Sequence, residues 1–177
     1  MRRIFIARNR KAQVWVETVL YTLIGLAIIG IVLAVAKPKI DEMKDKMLIE
    51  QSIESMNKID NKIYEVQRAT GNQRKIDMKI SNGKFVIDSE NNSLFWILES
   101  DYKYSEPDIV VESGKMNILT EEASPWKVTL SINYPVDLRY NNQTIGIKEF
   151  EAAPSPYTFY IKNKGSNNGN LIIDISE

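Results

Sequence analysis

Glu17 stands at the mouth of a long apolar run, and Lys11, Ala12 and Gln13 lie just before it. An acid at that depth is poorly solvated once the run is embedded in lipid, so it favours a cationic partner. Lys11-Ala12 brings a second chemistry, peptide-bond hydrolysis. Ala12 is a small residue after a basic one, and a cut behind it would remove a basic leader while keeping the apolar helix. An ordinary secretory signal has its small-residue site beyond the apolar stretch. Val35-Ala36-Lys37-Pro38 is a poor site of that kind, because the helical pattern runs on through it.

The run itself, Thr18 to Ala36, holds 19 residues without a charge. At about 1.5 Å per residue it reaches roughly 28 Å, against a hydrocarbon core of about 30 Å. Arg2, Arg3, Arg8, Arg10 and Lys11 place five positive charges and no acid in the first 12 residues, and the rest of the chain carries 18 basic against 23 acidic residues. Positive charge before a first span holds that side in the cytoplasm, so the N-terminus is read as inside and the C-terminal part as outside. With no basic cluster left in the exported part, nucleic acid is not an expected partner.

The chain has no cysteine and no histidine. Disulfides, thiol nucleophiles, Cys/His zinc sites and histidine-based triads are therefore excluded, and an exported domain must be held by its core. No Gly-rich phosphate loop, G-x-S-x-G elbow or calcium-loop spacing occurs. No catalytic, metal or cofactor site is expected. Asp88, Glu90, Asp101, Glu106 and Asp108 read as solvated turn residues, and Trp96, Trp126 and the tyrosines as core aromatics rather than a sugar platform.

With Lys11-Ala12 before Gln13, Glu17 as the fifth residue counted from Gln13, and an apolar run behind it, the stretch from about residue 8 to 40 resembles the type IV pilin-like proteins of archaea with a class III signal peptide. The resemblance implies cleavage after Ala12 by a membrane-embedded prepilin peptidase, with Gln13 as the first mature residue. It also implies self or other pilin subunits, an assembly ATPase and a membrane platform protein as partners. The new amine on Gln13 of one subunit would then pair with Glu17 of its neighbour. Two unit charges 4 Å apart attract by about 4 kcal/mol at an effective dielectric of 20. An isolated acid at a helix centre costs about 2.5–3.5 kcal/mol on insertion scales. These magnitudes are comparable, so the pair can set the register of a helix bundle. The plainer alternative leaves Glu17 in water at the level of the lipid headgroups.

Four readings stay open at this point. They are a structural filament subunit, a minor pseudopilin of a secretion or pilus system, a single-span membrane-anchored extracellular binding domain, and an exported enzyme, which has no support in the residues.

Within the span, Gly25 and Gly30 are small positions that permit close helix approach, and ordinary glycine tolerance in a membrane helix explains them equally well. Pro38 predicts a kink or local melting near residues 34–38. Beyond it Ile40, Met43, Met47, Ile49, Ile53, Met56, Ile59, Ile63 and Val66 recur mostly at three- and four-residue steps. That pattern predicts an amphipathic helix packed on a sheet and stopped near Gly71, with a short coiled coil as the competing account.

From residue 74 the period changes to two. Ile76, Met78 and Ile80, then Phe85-Val86-Ile87, read as a hairpin across Asn82-Gly83. Leu94–Leu98, Ile109–Val111, Met116–Leu119, Val128–Tyr134, Leu138–Tyr140, Ile145–Ile147, Tyr157–Ile161 and Leu171–Ile175 read as further strands, with the Asn-rich residues 163–170 as a connection. Two sequons, Asn91-Asn92-Ser93 and Asn142-Gln143-Thr144, fit glycosylation of an exported face.

The expected fold is therefore α+β: a long N-terminal helix, transmembrane in its first half and amphipathic in its second, packed on a C-terminal antiparallel, sandwich-like β domain. The segments are a leader 1–12, a membrane or filament-core helix 13–37, an amphipathic helix 38–71 and an extracellular β domain 72–177.

Overall fold

The computed structural model describes residues 10–177, with side chains from Val14 onward. Helix α1 spans Arg10–Gln67 and is followed by ten strands: β1 Gln73–Met78, β2 Lys84–Asp88, β3 Ser93–Ser100, β4 Val110–Ser113, β5 Met116–Glu121, β6 Trp126–Asn133, β7 Asp137–Tyr140, β8 Ile147–Glu151, β9 Tyr157–Asn167 and β10 Asn170–Ser176. The chain divides into two units, one ending at Asp41 and the other running Glu42–Glu177.

The first unit is helical to its end. Pro38 sits inside α1, and the residues on both sides of it keep helical assignment, so the local melting expected there does not occur.

The second unit is an α+β sandwich. A four-stranded sheet has the order β1-β9-β10-β7 and a six-stranded sheet the order β4-β5-β6-β3-β2-β8. All ladders are antiparallel except β7–β10, which is parallel. The alternation read from the sequence holds where it was clearest: in β6, Val128, Leu130 and Ile132 are buried while Lys127, Thr129 and Ser131 are partly exposed. On the helix, Ile49, Met56, Ile59, Ile63 and Val66 are at most 1% exposed and join one core with Phe159 and Ile175 of the smaller sheet and Phe85, Trp96 and Leu130 of the larger. Met43 and Met47, expected in that packing, are 71% and 58% exposed, so the buried stripe begins at Ile49.

Asn82-Gly83 does not close a hairpin. β1 pairs with β9 and β2 with β3 and β8, so the segment between β1 and β2 crosses from one sheet to the other. Its turn is fastened to β3 instead. Trp96 Nε1 donates to the Asn82 carbonyl at 3.1 Å, and Gly83 lies so close that an added Cβ would meet the Ile97 carbonyl oxygen at 2.0 Å. The same dipeptide does make a hairpin at Asn168-Gly169. Both residues have positive φ, and Asn167 pairs with Asn170 across them. β9 therefore runs through the Asn-rich stretch that the sequence reading assigned to a connection. Ile145 likewise precedes β8 rather than lying in it.

The helix ends at Gln67, and Gly71 takes φ +84° beyond it, its N–H donating to the Asn163 carbonyl at 2.9 Å. Gly71 therefore does not cap the helix as the sequence suggested: it lies four residues past the last helical one and turns the chain toward β9.

Candidate functional site

Residues 1–9 lie outside the described residues. Lys11, Ala12 and Gln13 belong to the backbone of the first turns of α1, and their side chains also lie outside the described residues. Glu17 is on α1 and exposed, one turn into the described side chains.

From Val14 to Val35 the helix shows its apolar side chains in every direction. Trp15, Leu20, Leu23, Leu26, Ile29, Ile31 and Leu33 are all more than half exposed. A soluble core helix hides at least one stripe, whereas here the stretch has no buried face at all. Among the described residues this is one helix long and apolar enough to cross a membrane. Its two threonine hydroxyls are satisfied within the helix: Thr18 Oγ1 donates to the Val14 carbonyl at 2.9 Å and Thr22 Oγ1 to the Thr18 carbonyl at 2.8 Å. That matters in lipid, where water cannot serve them. Around Gly25 and Gly30 an added Cβ would meet nothing within 4 Å, so both positions are open to a neighbouring helix.

The β domain offers little that resembles a reaction centre. Trp96 is 1% exposed in the core, against Phe85 with ring centroids 5.9 Å apart, which gives it a packing role. The larger surface depressions are open. One of about 320 Å³ is lined by Asn82, Lys84, Ile97, Glu99 and Glu151. Among the described residues no group of three or more acids is placed to hold a metal ion.

Asp88 departs from its reading as a solvated residue. It is buried, with Oδ1 accepting the N–H groups of Glu90 and Asn91 at 3.0 Å and Oδ2 accepting Asn91 Nδ2 at 2.8 Å. Burial pushes its carboxyl up, but the hydrogen bonds from Asn91 and Glu90 together outweigh it and hold the pKa below the usual aspartate value. Asp174, buried on β10, accepts the Asn142 N–H at 2.7 Å and lies 3.8 Å from Lys164 Nζ. Both acids build turns. The Asp-Ser-Glu-Asn order of residues 88–91 is the side-chain-capped turn signal that could have revealed the first of them.

These turns place the sequons differently. At Asn91 the side-chain amide is held by Asp88, and Ser93 is buried with its hydroxyl bonded to Asn133 Oδ1 at 2.8 Å. Asn142, Gln143 and Thr144 are exposed throughout.

The fold and the apolar helix define a class: an α+β protein in which a candidate membrane helix runs on into a β sandwich. No family model, curated protein or solved structure matches the chain.

Proposed function

We propose that this chain is the structural subunit of a type IV pilus-like filament, anchored in the membrane before assembly and carrying its β domain outside the cell. The observation that carries the reading is the fully exposed apolar stretch of α1 headed by an acid and preceded by a basic-small pair. Such a stretch needs lipid or other helices on all sides, and a filament core supplies the second after the membrane has supplied the first. In this reading a prepilin peptidase cuts after Ala12 and leaves an ammonium on Gln13. The Glu17 carboxylate of the neighbouring copy pairs with it, and apolar helix packing does the rest. An assembly ATPase and a membrane platform protein drive extension.

The test is the mass of the N-terminal peptide, taken from membranes and from sheared surface material. A peptide beginning at Gln13 in both fractions supports the filament subunit. Processed protein confined to the membrane fraction points to a minor pseudopilin. A peptide that retains Lys11-Ala12 refutes processing and leaves a single-span anchored domain.

A further inference from the structure

The two sheets treat their outer strands differently. In the four-stranded sheet the outer strands are charged: β1 carries Arg74, Lys75 and Asp77, and β7 carries the Asp137–Arg139 ion pair. Charges of this kind keep an edge from pairing with another strand. In the six-stranded sheet the outer strands are β4, with the single charge Glu112, and β8, with Lys148, Glu149 and Glu151. Both also carry exposed apolar side chains, which β1 and β7 do not carry in pairs. Ile109, Val110 and Val111 are 41–57% exposed at one, and Ile145 and Ile147 are 72% and 62% exposed at the other. Among the described residues β4 pairs only with β5 and β8 only with β2, so the far side of each lies outside any ladder.

Six strands joined by five antiparallel ladders place β4 and β8 in opposite directions. A second copy set beside the first in the same orientation therefore brings its β4 antiparallel to the first copy's β8. The ladder continues without a break in direction. Copies anchored in one membrane by the same end share one up-down sense, and a side-by-side relation keeps it for any orientation of the sheet. A twofold pairing of β4 with β4 would use only one of the two apolar edges, and it generates a closed dimer.

We propose that the six-stranded sheet extends from copy to copy of this chain, β8 of one pairing antiparallel with β4 of the next, so that the exposed valines and isoleucines of the two edges cover one another. Side-chain alternation fixes which residues share a face. Val110 lies across from Leu119 on the outer face, and Ile147 is outward because Phe150, three residues on, points into the core. Alternation thus leaves Ile147 or Glu149 opposite Val110, and apolar against apolar selects Ile147. Two acids near this contact are paired within each copy, Glu149 with Lys84 at 2.8 Å and Glu106 with Lys103 at 3.2 Å.

This contact rests on the side-by-side arrangement of the proposed filament but makes a separate demand on the β domains. The chain has no cysteine, so introduced thiols are read without background. The full chain carrying both Val110→Cys and Ile147→Cys, oxidised in membranes, should give a ladder of dimers, trimers and larger species on a non-reducing gel. Val110→Cys with Glu149→Cys samples the register two residues away. A bond within one copy is impossible, because five strand spacings of about 4.8 Å separate the two edges. Each single variant should stay monomeric, and co-expressed single variants should stop at dimers. Adding Val111→Lys, a charge on the open edge, should cut the ladder at least tenfold. Dimers from Val110→Cys alone, a ladder indifferent to Val111→Lys, or no cross-link in either double variant would overturn the proposal. The N-terminal mass is read on the same samples. A chain cut after Ala12 without a ladder sinks the edge contact and spares the filament; a ladder on uncut chains does the reverse.

Discussion

Asn163 of β9 donates from Nδ2 to the Val66 carbonyl at 3.0 Å, closing the last turn of α1 with a side chain that is 1% exposed. Its Oδ1 accepts the Gly165 N–H at 2.8 Å, its own N–H donates to the Asn72 carbonyl at 2.9 Å, and its carbonyl accepts the Gly71 N–H at 2.9 Å. One residue thus serves the helix end, the chain leaving it and the sheet. Asn163→Ala leaves a helix carbonyl and a strand N–H buried without those bonds. A loss of about 1–3 kcal/mol is expected. Urea titration of the full chain in detergent checks it, with an unchanged midpoint against the cap.

Gly83 and Gly71 both hold positive φ, yet their surroundings differ. An alanine Cβ at Gly83 meets the Ile97 carbonyl oxygen at 2.0 Å, a contact with backbone that no rotamer relieves. At Gly71 it meets nothing within 4 Å. Gly71→Ala should therefore cost only the left-handed strain, about 1–2 kcal/mol. Gly83→Ala should cost clearly more, since β3 or the crossover must also move. Thermal melts of the two variants side by side decide the order, and equal losses would show that the approach to Ile97 yields easily.

How far the sequence disclosed this fold follows the range of the interactions. Burial of Ile49, Met56, Ile59, Ile63 and Val66 and the alternation along β6 are local periodicities, and they were legible. The partner of a strand is not local. Asn82-Gly83 and Asn168-Gly169 are the same dipeptide between apolar runs, and only the second makes a hairpin, because Trp96 and Ile97 capture the first from another strand. Met43 and Met47 continue the helical pattern but lie beyond the stripe that the sheets cover. Of the candidate site, the apolar run around Gly25 and Gly30 was fully legible from composition. Asn163 gave no signal, since its role depends on a helix end 97 residues earlier in the chain.

Acid should weaken the β domain in part through Asp88. Its folded-state pKa is depressed, so the unfolded chain binds a proton more readily than the folded one between the two values. The stability it supplies is complete above the unfolded value, near 3.9, and is lost as pH falls through the lower folded value. Asp88→Asn should flatten this part of the profile while the turn to Asn91 survives. Urea midpoints at several pH values from about 2.5 to 5.5 measure it. A variant as acid-sensitive as the parent places the sensitivity in other carboxylates.

Glycan transfer onto the folded domain should favour Asn142 over Asn91. Transfer needs a free side-chain amide and an accessible Ser or Thr hydroxyl. Asn142 and Thr144 are exposed, whereas Asn91 Nδ2 is held by Asp88 and Ser93 Oγ by Asn133. Intact-mass measurement should lose the glycan increment in Asn142→Gln and keep it in Asn91→Gln. A glycopeptide containing Asn91 would show that modification precedes folding of this turn.

Glu17→Gln separates insertion from assembly. The substitution keeps the size of the side chain, removes the negative charge and leaves the 19-residue apolar run untouched, so membrane insertion should be at least as efficient as in the parent. In the proposed filament it removes attraction to a neighbour's ammonium, about 4 kcal/mol for unit charges 4 Å apart at an effective dielectric of 20. That energy, lost at each contact along a filament, should abolish sheared-surface material while processed protein accumulates in the membrane. Glu17→Asp, which keeps the charge on a shorter stem, should restore part of the yield, whereas a polar but uncharged residue should not. Full yield of filaments from Glu17→Gln would mean that apolar packing alone sets the register of the helices, and the carboxylate would then be a headgroup-level residue in contact with water.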